Sequence, residues 1–405
     1  MLSDPDLPRS WKKTFITLWL GCFMTGLNFS MTMPFMALYI ETLHPYSKFA
    51  VNLYAGLVFA VTYLAQAIVS PLWGNLADRK GRKLMCLRAS GVMTFTIFAV
   101  GLVHSAWMIV LLRFIQGAFS GYINNATAFM ASETPHEHSG AVMGNMMTAN
   151  VTGNLLGPLV GGFLAGLTGY RVTFFICGGL MGLVFLLTLF ETKENFTPVP
   201  VQKMKPMKEI FAHLDNKNLI FKMFLTTFLV QSALMSIAPI GSLIVKYLMH
   251  GVGNVSLVSG IVEAMPGIGT LLVASRIGAK MDKTSPIKIL FYGLFVAMLV
   301  FIPMYFVTSP WTLAFWRFLL GIASAALMPA VQTVLTISVP REAFGRIFSY
   351  NQSFQAGGSM FGSMIGSLAS GIFSYQSVFL VTACFMALNI VLIWRVKFPR
   401  QKVTQ

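Results

Sequence analysis

Long apolar runs, each closed by a short polar turn, make up most of the chain. The first follows Trp11-Lys12-Lys13 and extends to Ile40. Further runs of about 20 residues or more lie at about 51–72, 85–104, 107–131, 140–167 and 171–190. A polar linker with three prolines and five lysines spans Glu191 to Lys217. Six more runs follow, at about 219–245, 254–275, 287–308, 311–337, 344–370 and 374–394. Only a helix or a closed barrel satisfies its backbone in hydrocarbon, and runs of this length fit helices. The pattern predicts an all-α polytopic membrane protein with twelve transmembrane helices. They fall into residues 1–190, a linker at 191–217, and residues 218–405.

Composition agrees. Of 405 residues, 56% are hydrophobic and 10% charged, which a water-soluble domain does not bury. The net charge of +16 raises the question of nucleic acid. The basic residues are scattered among short loops and form no single stripe, which argues against such a partner. On alternate faces of the predicted spans, Lys and Arg number 24 against 3, with Arg113 and Arg317 inside the membrane. The positive-inside rule then puts both termini in the cytoplasm, and the plasma or inner membrane is the expected location. The four cysteines stand alone inside apolar runs, with no Cys-x-x-Cys spacing, so neither disulfide nor metal is expected. No Walker loop, metal cluster or nucleophile elbow supports an enzyme or an organic cofactor.

The two halves repeat each other. Gly74, Asp78, Trp107, Arg113 and Gly117 recur at Gly278, Asp282, Trp311, Arg317 and Gly321, an offset of 204. Pro135, Gly140, Tyr170 and Phe174 recur one residue later still, at Pro340, Gly345, Tyr375 and Phe379. This is a parallel repeat of two six-helix units.

Three motifs stand out. A charged loop after Leu72 reads Gly-x-x-x-Asp-Arg-x-Gly-Arg-Lys, with Gly74, Asp78, Arg79, Gly81, Arg82 and Lys83. The fifth run carries Gly144, Gly153, Gly157, Pro158, Gly161 and Gly162 as Gly-x8-Gly-x3-Gly-Pro-x2-Gly-Gly. Its physical meaning is a smooth helix face, bent at Pro158, that lets a neighbour approach closely. The fourth run carries Arg113-Phe114-Ile115-Gln116-Gly117. An arginine there costs roughly 2.5–3.5 kcal/mol, so it faces a cavity or a partner.

These motifs resemble those of the major facilitator superfamily. The fifth-helix pattern is similar to the antiporter motif of its exporters. Trp19-Leu20-Gly21-Cys22-Phe23, Met33-Pro34-Phe35 and Leu38-Tyr39 look like the MdtG/PmrA-type multidrug efflux branch of drug:proton antiporters. The resemblance implies two pseudo-symmetric six-helix bundles that rock about a central site. It implies a monomer exchanging hydrophobic or cationic drugs for protons, with the proton gradient as its energy source. Transport of a specific metabolite, such as a sugar or an amino acid, is the alternative, and a non-transporting membrane sensor is a third reading. In the family, Asp78 would meet the start of helix eleven near Ala343 to Gly345, where free amides favour an anion. Arg82 would pair with Glu133. Together they would form a conformational latch. The fifth-helix motif would seal the site, or serve packing alone. Arg113 would influence proton transfer, or simply hydrogen-bond neighbouring backbone carbonyls; Arg317 repeats it.

Coupling to protons needs a carboxylate. Only Glu263 falls well inside a span, ~13 Å deep, about level with Arg317. It is either the coupling and cation-recognising carboxylate or half of a static pair with Arg317. The helices expected to line the cavity offer Asn28, Met31, Phe35, Tyr63, Asn124, Gln231 and Met235 for substrate, with Tyr122, Asn125, Phe228 and Gln332 behind them.

Overall fold

The computed structural model describes residues 9–135, 138–194, 216–281, 284–339 and 344–394. Every regular element among them is a helix. They are α1 (Arg9–Thr32), α2 (Met36–Leu43), α3 (Lys48–Lys80), α4 (Arg82–Leu102), α5 (Ala106–Ala118), α6 (Tyr122–Glu133), α7 (Ser139–Thr168) and α8 (Tyr170–Glu191). Then come α9 (Lys217–Ile237), α10 (Gly241–Leu248), α11 (Val255–Met281), α12 (Pro286–Met304), α13 (Pro310–Ser324), α14 (Leu327–Ser338), α15 (Phe344–Ile372) and α16 (Ser377–Ile393).

Ten stretches of the described residues are long and apolar enough to cross a membrane. Of the twelve expected spans, α16 is apolar but shorter. The other, α15, is diluted by Asn351, Gln352, Ser353, Gln355, Ser359, Ser363 and Ser367.

Four predicted runs are each two helices. The first breaks at 33–35, where Pro34 has no N–H to give the Ser30 carbonyl. The seventh breaks at 238–240, around Pro239. The fourth breaks at 119–121, where Gly121 takes a left-handed φ of 111°. The tenth breaks at Ala325–Ala326. The charged stretch 73–83 differs from the loop the sequence suggested. Helix α3 runs on to Lys80, and Gly81 alone, at φ 93°, separates it from α4.

The chain forms two compact units. One comprises Met1–Val201 with Pro239–Ala264, and the other Gln202–Ala238 with Met265–Gln405. In the first unit α1 lies against α7 along a glycine seam. A Cβ on Gly153 would overlap the Phe23 carbonyl, one on Gly157 the Ser30 hydroxyl, and one on Gly161 would stand 2.5 Å from the Met31 carbonyl. The second unit repeats this with α9 and α15. Gly358, Gly362 and Gly366 abut the carbonyls of Phe228, Ser232 and Ser236. Lipid tails supply no hydrophobic drive between helices, so close backbone approach is what holds such pairs.

Candidate functional site

The charged signature sequence is a junction of three helices. The Glu194 carboxylate accepts from the Arg82 amide at 2.6 Å and the Lys83 amide at 2.9 Å. These are first-turn donors of α4 with no partner inside the helix, and an anion at a helix N-terminus is favoured. A side chain on Gly81 would put its Cβ 2.6 Å from Glu194 Oε2, so the motif's glycine is set by this approach as well as by its φ. Lys83 Nζ donates to the Leu189 carbonyl at 2.9 Å and the Thr192 carbonyl at 2.5 Å, capping the end of α8. Glu194 was not among the residues singled out from the sequence. The side chain of Asp78, residues 340–343 and the side chains of 344–346 lie outside the described residues. Arg79 is exposed and Glu133 half-buried.

Next to this junction, the break in the fourth span is tied down by side chains. Trp73 Nε1 donates to the Ala118 carbonyl at 2.6 Å, and Arg88 donates to the Ser120 carbonyl at 2.9 Å. The Arg88 guanidinium lies 3.7 Å from the centre of the Trp73 ring. A cavity of about 130 Å³ opens here, lined by Gln66, Ser70, Trp73, Arg82, Ser120, Asn124 and Asn125 among others. Its walls carry amides, hydroxyls and one guanidinium.

Arg113 is buried in the first unit. It donates to Gln116 Oε1 at 3.0 Å and to the Thr32 hydroxyl at 3.4 Å. These partners are side chains, whereas one of the two readings of the sequence named backbone carbonyls. Gly117, one turn on, lets α5 meet the Thr62 carbonyl of α3, and Gly321 meets Pro266 of α11 in the same way. The Arg-x-x-x-Gly element thus places a guanidinium and a backbone crossing together in both repeats.

The fifth-helix motif has two faces. Gly153, Gly157 and Gly161 face α1, as their repeat partners face α9. Pro158 and Gly162 face α11 instead. A Cβ on Gly162 would stand 2.6 Å from the Ser256 carbonyl, and one on Gly260 would overlap the Pro158 carbonyl. The equivalent residues in the second repeat are Ser363 and Ser367. Gly144 has nothing within 4 Å of such a Cβ, so close packing does not explain it. Beyond the seam, the Tyr170 hydroxyl and Ser256 Oγ are 2.9 Å apart.

Of the proposed substrate residues, Asn28, Met31 and Phe35 are buried in helix packing. Asn28 donates to the Cys177 carbonyl at 2.9 Å, while Met31 and Phe35 lie under Gly161. Asn124 lines the cavity beside Trp73. Tyr63 and Glu263 are half-buried in the first unit, and Gln231 and Met235 half-buried in the second, where Gln231 lies beside Gly358. Arg317 is buried in the second unit.

Comparison with known proteins agrees with this architecture. The chain is 44% identical over 393 residues to Multidrug resistance protein MdtG of Salmonella schwarzengrund, covering 97% of each. It is 43% identical to that of Salmonella arizonae over the full length of both. Among solved structures, the nucleoside transporter NupG (D323A mutant) superposes with a TM-score of 0.74 at 15% identity, over 94% of this chain and 99% of that one. A bacterial homologue of the human lysosomal transporter Spinster, inward-facing and unoccupied, gives 0.74 at 17% identity, over 96% and 97%. These last two likenesses concern the fold. The family model described as Major Facilitator Superfamily matches residues 18–310 and 224–405. With repeated bundles, a glycine-seamed fifth helix and near-complete coverage by both comparisons, the chain belongs to the major facilitator superfamily, as a multi-pass membrane transporter.

Proposed function

We propose that this transporter is a drug exporter driven by proton antiport, working by rocker-switch alternating access. Residues 1–190 and 218–405 would be the two moving halves, joined by 191–217, with both termini in the cytoplasm of the plasma or inner membrane and the protein acting as a monomer. The observation that carries the reading is the second face of the fifth helix. Pro158 and Gly162 meet Ser256 and Gly260 backbone to backbone, a contact with no equivalent residues in the other repeat. A seam that excludes water and protons there suits an exporter, whose cargo moves against a gradient that must not leak. The relatives' description as multidrug resistance proteins supports drugs as the cargo.

The remaining roles follow. Glu263, one turn past the seam on α11, would take up and release the coupling proton, with Arg113 and Arg317 modulating it. The junction of Gly74, Asp78, Arg79, Gly81, Arg82, Lys83 and Glu133 would act as the cytoplasmic latch, with Asp78 and the Arg82–Glu133 pair as its movable part. Asn124, with Gln66 and Asn125 in the small cavity, would contact substrate as it leaves the cytoplasm. Tyr63, Gln231 and Met235 would contact it deeper. Asn28, Met31 and Phe35 would shape the wall.

The test is drug susceptibility and dye retention in pump-deficient cells making the wild type, Gly162→Leu or Gly260→Leu. The wild type should lower dye retention. At matched amounts of protein in the membrane, both variants should lose efflux and pass protons down an imposed gradient. Full efflux with either leucine would remove the seal from the account.

A further inference from the structure

Glu41 and Lys246 form an ion pair, with Oε2 and Nζ 2.7 Å apart and side chains 27% and 44% exposed. Glu41 is on α2 and Lys246 on α10, and both belong to the first compact unit. The internal repeat relates these helices. Pro34, in the break before α2, corresponds to Pro239, in the break before α10, at an offset of 205. The same offset carries Glu41 onto Lys246. Two repeat-equivalent residues that touch lie on the local two-fold relating their helices. Identical side chains would there meet their own kind, and two glutamates or two lysines would repel. The repeat is broken at this position by opposite charges. Around it the helices are otherwise uncharged, with Met36 to Ile40 buried on α2 and Gly241 to Val245 on α10.

We infer that Glu41 and Lys246 form a latch between the outer ends of the first and seventh spans, which must part for the transporter to face outward. A part-exposed ion pair is a weak contact, so it biases such an equilibrium without freezing it. A buried apolar contact of equal reach would be harder to break. The Tyr170–Ser256 hydrogen bond, 2.9 Å long, ties the first turn of α11 to the same unit and would part with it. This inference rests on the alternating-access reading, and its test requires no substrate.

The test measures how fast a membrane-impermeant maleimide, added outside intact cells, labels Ser259→Cys. Ser259 is fully buried on α11, less than one turn inward of Ser256. The background is Cys384→Ser, since Cys22, Cys86 and Cys177 are buried and Cys384 exposed. Glu41→Lys and Lys246→Glu should each speed labelling on the order of five-fold. The swap Glu41→Lys/Lys246→Glu should restore the parent rate. Parent-like labelling in both single variants, or a swap that labels as fast as they do, would overturn the latch. Should a charge reversal fail to reach the membrane, Glu41→Gln and Lys246→Gln replace it, with faster labelling expected and no change overturning the inference. Drug efflux is read separately. Restored labelling in the swap, in a protein that moves no dye, would leave the latch standing and remove the drug reading.

Discussion

Removing Glu194 should loosen the start of α4 by an amount the geometry sets. Its carboxylate holds two first-turn amides, Arg82 at 2.6 Å and Lys83 at 2.9 Å. Glu194→Ala deletes both acceptors and leaves those donors to water. Losing an N-terminal cap costs about 0.5–2 kcal/mol. Bonds to a charged acceptor lie toward the upper part of such ranges, but this site is only part-buried, so about 1–2 kcal/mol is expected. That corresponds to roughly a 5–30-fold rise in the open population of the first turn. Hydrogen exchange of the segment beginning at Arg82, followed by mass spectrometry in detergent, reads this directly. Glu194→Gln keeps one acceptor oxygen and should fall between the wild type and alanine. Exchange of that segment within two-fold of wild type in Glu194→Ala would refute the reasoning, because the carboxylate would then not be holding the turn.

Other outcomes follow from the same contacts. Gly153→Leu and its repeat equivalent Gly358→Leu should both abolish folded protein in the membrane, whereas Gly144→Ala, with open space around it, should leave yield unchanged by fluorescence size-exclusion. Trp73→Phe keeps a ring beside Arg88 but loses the 2.6 Å bond to Ala118, and should lower stability by about 1 kcal/mol in thermal melts. Gln116→Leu strips Arg113 of its 3.0 Å partner and should cost about 1.5–3 kcal/mol, while Gln116→Glu, which offers a carboxylate at the same reach, should be tolerated.

Much of this was legible in the sequence, for identifiable reasons. Hydropathy locates spans because lipid demands it, and the repeat offset of 204–205 survives because the two halves pack alike. Glycines at i, i+4 and i+8 announce a close helix pair. They do not say which neighbour, and the division of Gly157 from Pro158 and Gly162 between two partners came only from the structure. Charge misled at 73–83, since polar residues at a membrane surface do not end a helix, whereas Gly81 at φ 93° does. Glu194 was invisible because its partners lie 111 and 112 residues away and its neighbours read as linker. The break at Ala325–Ala326 has neither glycine nor proline within it; its one local signal is Pro329, in the first turn of α14, which has no N–H to give the Ala325 carbonyl. Asn28, Met31 and Phe35 belong to a run that the sequence expects to line the cavity, and membership of the run alone does not tell which way a residue faces.

The central claim is proton-driven export, and one measurement addresses it most directly. Purified protein in proteoliposomes, with an imposed pH gradient and ethidium as the probe, would be compared with Glu263→Gln. The account predicts that the wild type accumulates dye against its gradient only while the proton gradient lasts, and that the variant does not. Gradient-independent dye movement by the wild type, or equal gradient-driven transport by Glu263→Gln, would contradict it.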